Sequence, residues 1–238
     1  MAEYLAFHYL EPKALVPRGI TPPQGVTNFP FACARLLLSQ AKNKPQRALD
    51  LGCAVGRSSF ELARKVPQVV GIDFSRSFIQ AAQQLQKTGR LPFDLLEEGK
   101  RSRRSLAQAP AKPLRQRVSF LSGDALRLPK NLGTFDLLLA ANLIDRLPHP
   151  KRFLSQVLPS LVNPGGQVLL TSPYTWTTEY TPSSRWLGSP PTDSFSALQK
   201  ILRPSFRLLD RTNLPFLLRE TRRKFQYTFA DATIWQRL

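Results

Sequence analysis

Short apolar runs alternate with amphipathic segments through the middle of the chain. Five stretches each contain a predicted buried strand, at residues 47–52, 68–75, 117–129, 134–144 and 165–174, and in the third stretch residues 122–129 follow the strand. Segments with apolar residues on one side predict helices between them, at residues 57–66, 75–88 and 150–166, the last closed by Asn-Pro-Gly-Gly at 163–166. Strands that alternate with helices in this way are typical of an α/β fold, in which a mostly parallel sheet is covered on both faces.

The two ends and one internal segment depart from this alternation. Residues 1–45 begin irregularly, continue into a predicted helix at 31–42, and are interpreted as a lid or cap segment. Residues 90–117 are interpreted as a basic insertion, and the β-rich tail from residue 206 predicts an antiparallel pair at the edge of the sheet. A length of 238 residues suits one large domain, so we expect residues 1–238 to form a single domain.

Positive charge is the strongest feature of the composition. The chain has 34 Lys and Arg against 16 Asp and Glu, a formal net charge of +18, and such a balance favours nucleic acid or acidic membranes as partners. Seven of the basic residues lie in 99–117, without aromatic residues that stack on bases. Binding of nucleic acid is therefore the less favoured interpretation, and this run is expected to be a solvated part of the insertion.

Other features of the composition limit the compartment and the chemistry. The chain has only two cysteines and no Cys/His spacing typical of zinc sites, so we expect neither a disulfide framework nor a bound metal. It lacks an apolar run long enough to span a bilayer, and its first residues lack the features of a secretory leader. We therefore expect a cytoplasmic protein that does not use a membrane.

Acidic and glycine residues follow the first three predicted strands. Asp50, Gly52 and Gly56 lie where the first strand ends, and glycine allows the backbone to approach a ligand closely. Asp73 lies 21 residues after Gly52, at the end of the second strand, a spacing that suits a carboxylate on ribose hydroxyls. Asp124 follows the third strand and, with the backbone of Ala125, is a candidate for the adenine amino group. These residues predict an adenosine-containing ligand at the carboxyl ends of the strands.

The glycine pattern excludes two common phosphate-binding motifs. A dinucleotide fingerprint would need glycines at positions 52, 54 and 57, but Ala54 and Arg57 occupy the last two, and the chain has no Gly-Lys-Ser/Thr. The ordered set of Asp50, the glycines, Asp73 and Asp124 instead resembles the class I S-adenosylmethionine-dependent methyltransferases, over about residues 46–176. That resemblance implies a Rossmann-like fold, a seven-stranded mostly parallel sheet with an antiparallel last strand, and S-adenosylmethionine as cofactor. It also assigns to the cofactor Cys53, Arg57, Phe74 and Ala141.

Several longer stretches carry a narrower resemblance. "EYLAFHY", "LPFDLLEEG", "LAANLIDRLPHPKRFL", "NPGGQVLLTSPYTW" and "RKFQYTFADATIWQR" are similar to the 4-mercaptohistidine N1-methyltransferase family, the methylating module of ovothiol biosynthesis. The resemblance implies an N-methyltransferase that acts on a ring nitrogen of 5-thiohistidine. In that family the module is often the C-terminal part of a longer enzyme, whose front half attaches the sulfur at a non-haem iron centre. The only histidines here are His8 and His149, too few for a three-histidine iron site, so a separate sulfur-attaching enzyme is the expected partner.

The expected acceptor site lies beyond the fourth and fifth predicted strands. Methyl transfer is an in-line displacement, and a neutral imidazole nitrogen has a free lone pair, so alignment matters more than a base. Asn142 and Tyr174 are the candidate catalytic positions, and Tyr174 and Trp176 are candidates to wall the ring. A helix cap for Asn142 and ordinary core packing for the two aromatic residues remain open alternatives.

The N-terminal aromatic cluster and several charged residues complete the candidate substrate site. Tyr4, His8 and Tyr9 either close over the pocket as a lid or belong to an amphipathic helix packed on the sheet. Arg146 is a candidate for the substrate carboxylate, and Arg219, Glu220 and Lys224 are further candidates for the charged groups of an amino acid. Two alternatives stay open for the function, namely a methyltransferase acting on RNA or a protein, and a non-catalytic module that binds S-adenosylmethionine. "AANL" after the fourth strand, where base-amino methyltransferases have Asn-Pro-Pro-Tyr, argues against base methylation.

Overall fold

In the part of the chain that the structure describes, nine strands form one large sheet and one separate hairpin. The structure is a computed structural model that describes residues 1–41 and 44–238. The strands are β1 (Arg47–Leu51), β2 (Gln68–Asp73), β3 (Arg90–Glu98), β4 (Arg101–Gln108), β5 (Val118–Ser122), β6 (Phe135–Ala141), β7 (Val162–Ser172), β8 (Phe206–Arg219) and β9 (Phe225–Arg237). The large sheet has the order β5-β2-β1-β6-β7-β9-β8, and β3 pairs with β4 alone.

The strand directions confirm the predicted sheet. β5, β2, β1, β6 and β7 are mutually parallel, and β9 is antiparallel to both β7 and β8. Only the last strand therefore opposes the others, and β8 and β9 form the antiparallel edge pair that the tail predicts. The order reverses at β1, with β2 and β5 on one side and β6 and β7 on the other, which is where an open α/β sheet binds its ligand.

Helices cover both faces of the sheet. They are α1 (Ala2–Tyr9), α2 (Pro12–Leu15), α3 (Phe29–Gln40), α4 (Arg57–Leu62), α5 (Arg76–Thr88), α6 (Lys112–Arg115), α7 (Pro150–Arg152), α8 (Leu158–Leu161) and α9 (Ser194–Leu202). A π-helical turn, Phe153–Val157, joins α7 to α8. One core includes Leu37, Phe60 and Leu85 from α3, α4 and α5, and a second includes Phe153 and Leu202 from the opposite layer.

Several predicted boundaries are corrected by the structure. The helix expected at 57–66 ends at Leu62. The helix in 150–166 ends at Leu161, and the residues 163–166 that were predicted to close it belong to β7. Within 117–129 the strand ends at Ser122, so Asp124 follows it, as predicted. The helix predicted at 31–42 is α3, which begins at Phe29 with Asn28 as its N-cap, and the predicted end at Lys42 lies outside the described residues.

The basic segment is a regular hairpin rather than an irregular loop. Phe93, Leu95 and Ala107 alternate toward the core, while charged residues face outward. The exposed arginines of β4 pair with acids of β3: Arg101 with Glu98 at 3.1 Å, Arg103 with Glu97 at 3.3 Å and Arg104 with Asp94 at 3.1 Å. The positive charge of this hairpin is therefore partly offset locally.

Candidate cofactor and acceptor site

The loop after β1 takes a left-handed backbone at three positions. The φ angles are +79° at Gly52, +45° at Ala54 and +85° at Gly56. Gly52 and Cys53 donate backbone hydrogen bonds to Ile72 of β2, over 2.8 and 3.1 Å. A Cβ atom at Gly52 would lie 3.2 Å from Leu143, so the loop passes close to the segment after β6.

Gly56 is required by packing as well as by backbone conformation. A Cβ atom there would lie 2.5 Å from Cζ of Phe120, a side chain of β5. Gly56 is the N-cap residue of α4, so the absence of a side chain there lets the start of this helix lie close to Phe120 of β5. The glycine that the sequence analysis placed at the ligand therefore also has a structural role.

Asp50 is buried and faces α4. One of its carboxylate oxygens accepts hydrogen bonds from the hydroxyls of Ser58 and Ser59, over 2.7 and 2.5 Å. Burial raises the pKa of Asp50 to about 6, although the two serine hydroxyls act in the opposite direction. In the structure this carboxylate joins β1 to the first turn of α4 and thereby positions the loop between them.

Asp73 and Phe74 lie beside the loop, at the end of β2. The carboxylate of Asp73 accepts hydrogen bonds from the backbone N–H groups of Ala54 and Ser75, over 2.9 and 2.8 Å. Burial raises its pKa, although these two bonds act in the opposite direction. The next side chain, Phe74, is 80% exposed. A carboxylate with lone pairs still free for hydrogen bonds, beside an aromatic ring exposed to solvent, is suited to binding a ribose and its base.

Asp124 and Ala125 complete this end of the sheet. The N–H of Gly123 donates to the backbone oxygen of Asp73 over 2.9 Å, which ties the loop after β5 to β2. Asp124 is half-buried and accepts a hydrogen bond from the N–H of Leu126 over 2.8 Å, while Ala125 is buried. The three acids predicted from the sequence thus lie at or just beyond the ends of three adjacent strands, β1, β2 and β5.

Cys53 and Arg57 are enclosed on the side of the loop that faces α3. Burial raises the pKa of the Cys53 thiol well above its usual value. The guanidinium carbon of Arg57 lies 5.7 Å from the centre of the Phe31 ring. Its Nε is buried and, among the residues that the structure describes, has no hydrogen-bond partner. A buried guanidinium with a free N–H is suited to a carboxylate.

The N-terminal helix α1 is held against the same loop. The hydroxyl of Tyr9 donates to the backbone oxygen of Val55 over 2.7 Å. His8 is buried, and its burial together with the charge of Arg57 lowers its pKa to about 3, so its ring is neutral. Tyr4 is 41% exposed, and its ring centre lies 4.5 Å from that of Phe78 on α5. Tyr9 and His8 therefore anchor the helix, and Tyr4 is the one of the three that remains accessible.

Asn142 and Tyr174 lie just beyond the ends of the neighbouring strands β6 and β7. Both have a left-handed backbone, with φ of +50° and +53°. Oδ1 of Asn142 accepts a hydrogen bond from the hydroxyl of Thr171 over 2.9 Å. Thr171 itself pairs with Ala141 in the sheet. The hydroxyl of Tyr174 donates to Asp231 of β9 over 2.8 Å. Burial, followed by this hydrogen bond, raises the pKa of Tyr174 well above its usual value.

The other predicted substrate residues are either bonded to neighbouring residues or lie at the turn between β8 and β9. Nε1 of Trp176 donates to the hydroxyl of Ser194 over 3.2 Å, so this indole is partly tied to the start of α9. Arg146 donates to the backbone oxygen of Thr175 over 3.2 Å, and its guanidinium lies 5.0 Å from the centre of the Tyr180 ring. Three candidates for substrate charges instead lie at the turn between β8 and β9, namely Arg219, Glu220 and Lys224.

Two acids of the acceptor side escaped the sequence analysis. Asp145 is fully buried and accepts hydrogen bonds from the hydroxyls of Ser172 and Thr175, both over 3.1 Å, and burial raises its pKa. Its position three residues after Asn142 was the available signal. Asp231 holds Tyr174 and forms an ion pair with Arg211 at 2.8 Å. It lies 57 residues from Tyr174, and the sequence has no local signal for that pairing.

This sheet order and the loop at its reversal define a class I S-adenosylmethionine-dependent methyltransferase, as predicted. Residues 49–168, half of the chain, match the family described as "Methyltransferase domain". The chain belongs to that family. S-adenosylmethionine as cofactor is confirmed at the level of the family, and the site fits it: Asp73 and Phe74 suit its adenosine, and the buried Nε of Arg57 suits a carboxylate.

Individual relatives agree with this assignment at low sequence identity. Norajmaline N-methyltransferase of Rauvolfia serpentina is 29% identical over 130 residues, 54% of this chain and 36% of its own length. This chain thus spans about a third of the length of the curated relatives that it matches. N-methyltransferase NodS of Bradyrhizobium japonicum, solved with S-adenosyl-L-homocysteine, has a TM-score of 0.56 at 16% identity over 87% of this chain and 85% of its own. Magnesium protoporphyrin IX methyltransferase of Synechocystis, solved with bound cofactor, has a TM-score of 0.54 at 16% identity over 88% and 78%.

Two further features of the described residues concern metals and membranes. Across residues 1–41 and 44–238, no three His, Cys, Asp or Glu residues come together in a way that would hold a metal ion. Within the same ranges no helix has the length and hydrophobicity needed to cross a bilayer.

Proposed function

We propose that this protein transfers the methyl group of S-adenosylmethionine to a ring nitrogen of a small thiolated histidine, 5-thiohistidine. The observation that carries the proposal is the pair Asn142 and Tyr174, which flank the ends of β6 and β7 and are both held by hydrogen bonds to their neighbours. The family-like stretches of the sequence support the choice of acceptor. The similarity to a plant N-methyltransferase supports nitrogen as the methylated atom.

Each proposed cofactor residue contacts a different part of S-adenosylmethionine or positions the loop that binds it. When bound, S-adenosylmethionine supplies an electrophilic methyl group. Asp73 accepts hydrogen bonds from the ribose hydroxyls, Phe74 stacks on the adenine and Asp124 accepts from its amino group. Arg57, with its buried free N–H, pairs with the carboxylate of the methionine part. Asp50 acts indirectly, by fixing α4 to β1.

Alignment rather than base catalysis drives the proposed reaction. The Tyr174 hydroxyl donates to Asp231, and its raised pKa keeps it protonated at neutral pH, so this side chain is a wall and not a base. A neutral imidazole nitrogen attacks with its own lone pair, forms the new C–N bond and displaces the sulfonium sulfur; the ring N–H proton is then lost to solvent. Holding donor and acceptor in line supplies most of the acceleration.

Asn142 selects the nitrogen over the sulfur of the acceptor. Its Oδ1 accepts a hydrogen bond from the hydroxyl of Thr171, so its NH₂ group points away from Thr171. An amide N–H that donates to the sulfur lowers the electron density there and orients the ring, so the nitrogen faces the methyl group. The sulfur is the better intrinsic nucleophile, and its restraint is therefore necessary for N-methylation.

The experiment is a reaction with defined small molecules. Purified protein with S-adenosylmethionine and 5-thiohistidine is expected to give S-adenosylhomocysteine and a product methylated on a ring nitrogen, identified by mass spectrometry and NMR. Plain histidine is expected to react far more slowly, because the amide aimed at the sulfur would lose its partner. Asn142→Ala is expected to lower the rate and to release some S-methylated product, while Asn213→Ala on β8 serves as a matched control.

Other outcomes would redirect the proposal. Modification of RNA or of a protein, with no methylated thiohistidine, would leave only the methyltransferase assignment. The pairing of Arg101, Arg103 and Arg104 with acids removes part of the charge that favoured such acceptors. Cofactor binding without turnover on any acceptor would favour the non-catalytic module.

The source and place of the reaction are also part of the proposal. The sulfur of the acceptor must be attached by another activity, and we propose that a separate enzyme supplies it, since the histidines of this chain are only His8, which is buried, and His149, which contacts Arg185 at 3.0 Å. A cytoplasmic location, where thiols stay reduced, suits both the thiolated acceptor and the two free cysteines.

A further inference from the structure

A basic cleft lies between the tips of the two hairpins and the segment after α1. Its volume is about 530 Å³. Five cations line it against the single acid Glu97, and they are Lys13, Arg18, Arg103, Arg219 and Arg222. The segment 14–20 adds apolar side chains, of which Leu15 is buried and Ile20 is 57% exposed. The cleft thus combines a strongly positive wall with an apolar one.

Arg219 is buried in this cleft with a free donor. Its side chain is 2% exposed, and its Nη2 forms an ion pair with Glu97 at 2.7 Å. Its Nε donates to the backbone oxygen of Thr221 over 3.1 Å. Its Nη1 is buried and has no hydrogen-bond partner among residues 1–41 and 44–238. Burial of a charged N–H without an acceptor is unfavourable, so an acceptor supplied by a ligand would be favoured at this position.

Glu97 does not neutralise the cleft. Its carboxylate is shared by three guanidiniums, those of Arg219 at 2.7 Å, Arg103 at 3.3 Å and Arg222 at 3.9 Å. Burial raises the pKa of Glu97, but the hydrogen bonds and charges of the arginines outweigh it and hold that pKa below its ordinary value. One carboxylate against five cations leaves a net lining charge of about +4 at neutral pH.

The walls are fixed before any ligand arrives. Arg103 donates to the backbone oxygen of Ala14 over 3.1 Å, which ties the segment after α1 to β4. The N–H of Arg222 donates to the backbone oxygen of Glu97 over 3.0 Å, which ties the β8–β9 turn to β3. The segments that carry these arginines are therefore already ordered in the fold, which lowers the entropic cost of binding a ligand.

We propose that this cleft binds a small phosphorylated molecule with an apolar body. A phosphate monoester carries about −1.5 to −2 charges and three acceptor oxygens, which suits several convergent cations better than a single carboxylate does. One of its oxygens accepts from Nη1 of Arg219, and the apolar body lies on Val16 and Ile20. None of the lining residues belongs to the loops that follow β1, β2, β5, β6 or β7, so this site is separate from the methyl-transfer site.

The test is calorimetry on the whole chain, with phenyl phosphate and inorganic phosphate as probes. We expect one phenyl phosphate per chain, bound more tightly than inorganic phosphate because of the apolar wall. Lys13→Gln and Arg18→Gln, both at exposed positions that do not support the fold, are expected to lower the affinity about tenfold each. Arg219→Lys keeps the charge and loses the free N–H, and is expected to lower it at least as much.

Arg101→Gln is the matched control. This arginine is exposed on the same hairpin, pairs with Glu98 and does not line the cleft, so its loss should leave the affinity unchanged. An equal effect of Arg101→Gln and Arg18→Gln would overturn the proposal in favour of general attraction to a basic surface. Displacement of phenyl phosphate by S-adenosylhomocysteine would overturn it in favour of the cofactor site. Tight binding of an RNA oligonucleotide with no saturable binding of phenyl phosphate would overturn it in favour of nucleic acid.

Discussion

Asp73, at the end of β2, accepts a hydrogen bond from the backbone N–H of Ala54 over 2.9 Å. This bond joins the acid expected at the ribose to the turn in which Ala54 has a φ of +45°. The carboxylate thus holds the loop in this shape, and its remaining lone pairs are free for the ribose that we propose it binds. In that proposal, cofactor binding and loop geometry are coupled through one side chain.

Removing this carboxylate should weaken cofactor binding. Asp73→Ala loses charge-assisted hydrogen bonds to the ribose, and we expect a loss of about 1.5–3 kcal/mol of binding free energy, measured by calorimetry with S-adenosylhomocysteine. Asp94→Ala is the control, because Asp94 is exposed and pairs with Arg104 on the hairpin, away from the loop after β1. Equal affinities of the two variants would rule out Asp73 as a ribose ligand.

Gly56 should tolerate alanine far less well than Gly19 does. Both glycines have nearly the same φ, +85° and +84°, so both substitutions carry the same backbone strain. A Cβ atom at Gly56 would meet Phe120 at 2.5 Å, whereas nothing lies within 4 Å of one at Gly19. We expect Gly19→Ala to cost about 1 kcal/mol and Gly56→Ala about 1–3 kcal/mol more, measured by urea unfolding. Similar losses would mean that Phe120 moves aside freely.

Asp50 should make the protein less stable as the pH rises. Its pKa is raised from 3.8 to about 6 by burial, so the folded state holds this proton more tightly than the unfolded state does. The contribution is therefore fully present below about pH 4 and is lost as the pH rises through about 6. Urea unfolding of the native protein and of Asp50→Asn should diverge with this pH dependence. Parallel curves for the two proteins would contradict the raised pKa.

Tyr174→Phe should slow methyl transfer without weakening the cofactor. The variant keeps the ring but loses the hydrogen bond to Asp231, so the ring is no longer fixed across β7 and β9. We expect a roughly tenfold lower single-turnover rate, since small losses of alignment have large effects, and an unchanged Kd for S-adenosylhomocysteine. Tyr227→Phe, at a tyrosine that is 43% exposed, should change neither. A matching fall in cofactor affinity would place Tyr174 in the cofactor site.

The central strands of the sheet could be predicted because they are buried on both faces. Residues 47–51 and 135–141 are predominantly apolar, with a buried or half-buried side chain at every position, and such short buried segments are typical of parallel strands. The hairpin was not predicted, because the inward positions of β4 are Ser105 and Ala107, too small and weakly apolar to reveal a period of two among the charges. Arg101 and its neighbours therefore obscured a regular strand.

The cofactor side of the site could be predicted better than the acceptor side. Asp50, Asp73 and Asp124 each lie at or close after the end of a predictable strand, so their order along the chain fixes their order in space. The contacts of Tyr174 with Asp231 and of Arg219 with Glu97 join residues 57 and 122 positions apart. Such pairings depend on the position of the antiparallel pair β8 and β9 relative to the rest of the fold, which no local sequence pattern specifies.

Burial of the Cys53 thiol affects whether the loop after β1 can be methylated by the cofactor. A sulfonium methyl group is an alkylating agent, and the thiolate is the form of cysteine that reacts with one. Burial raises the pKa of Cys53 well above the usual value, with the charge of Asp50 acting in the same direction. The thiol therefore stays protonated at neutral pH, which is the form of cysteine that attacks a sulfonium methyl group least readily. This disfavours methylation of the loop by the cofactor that we propose it binds.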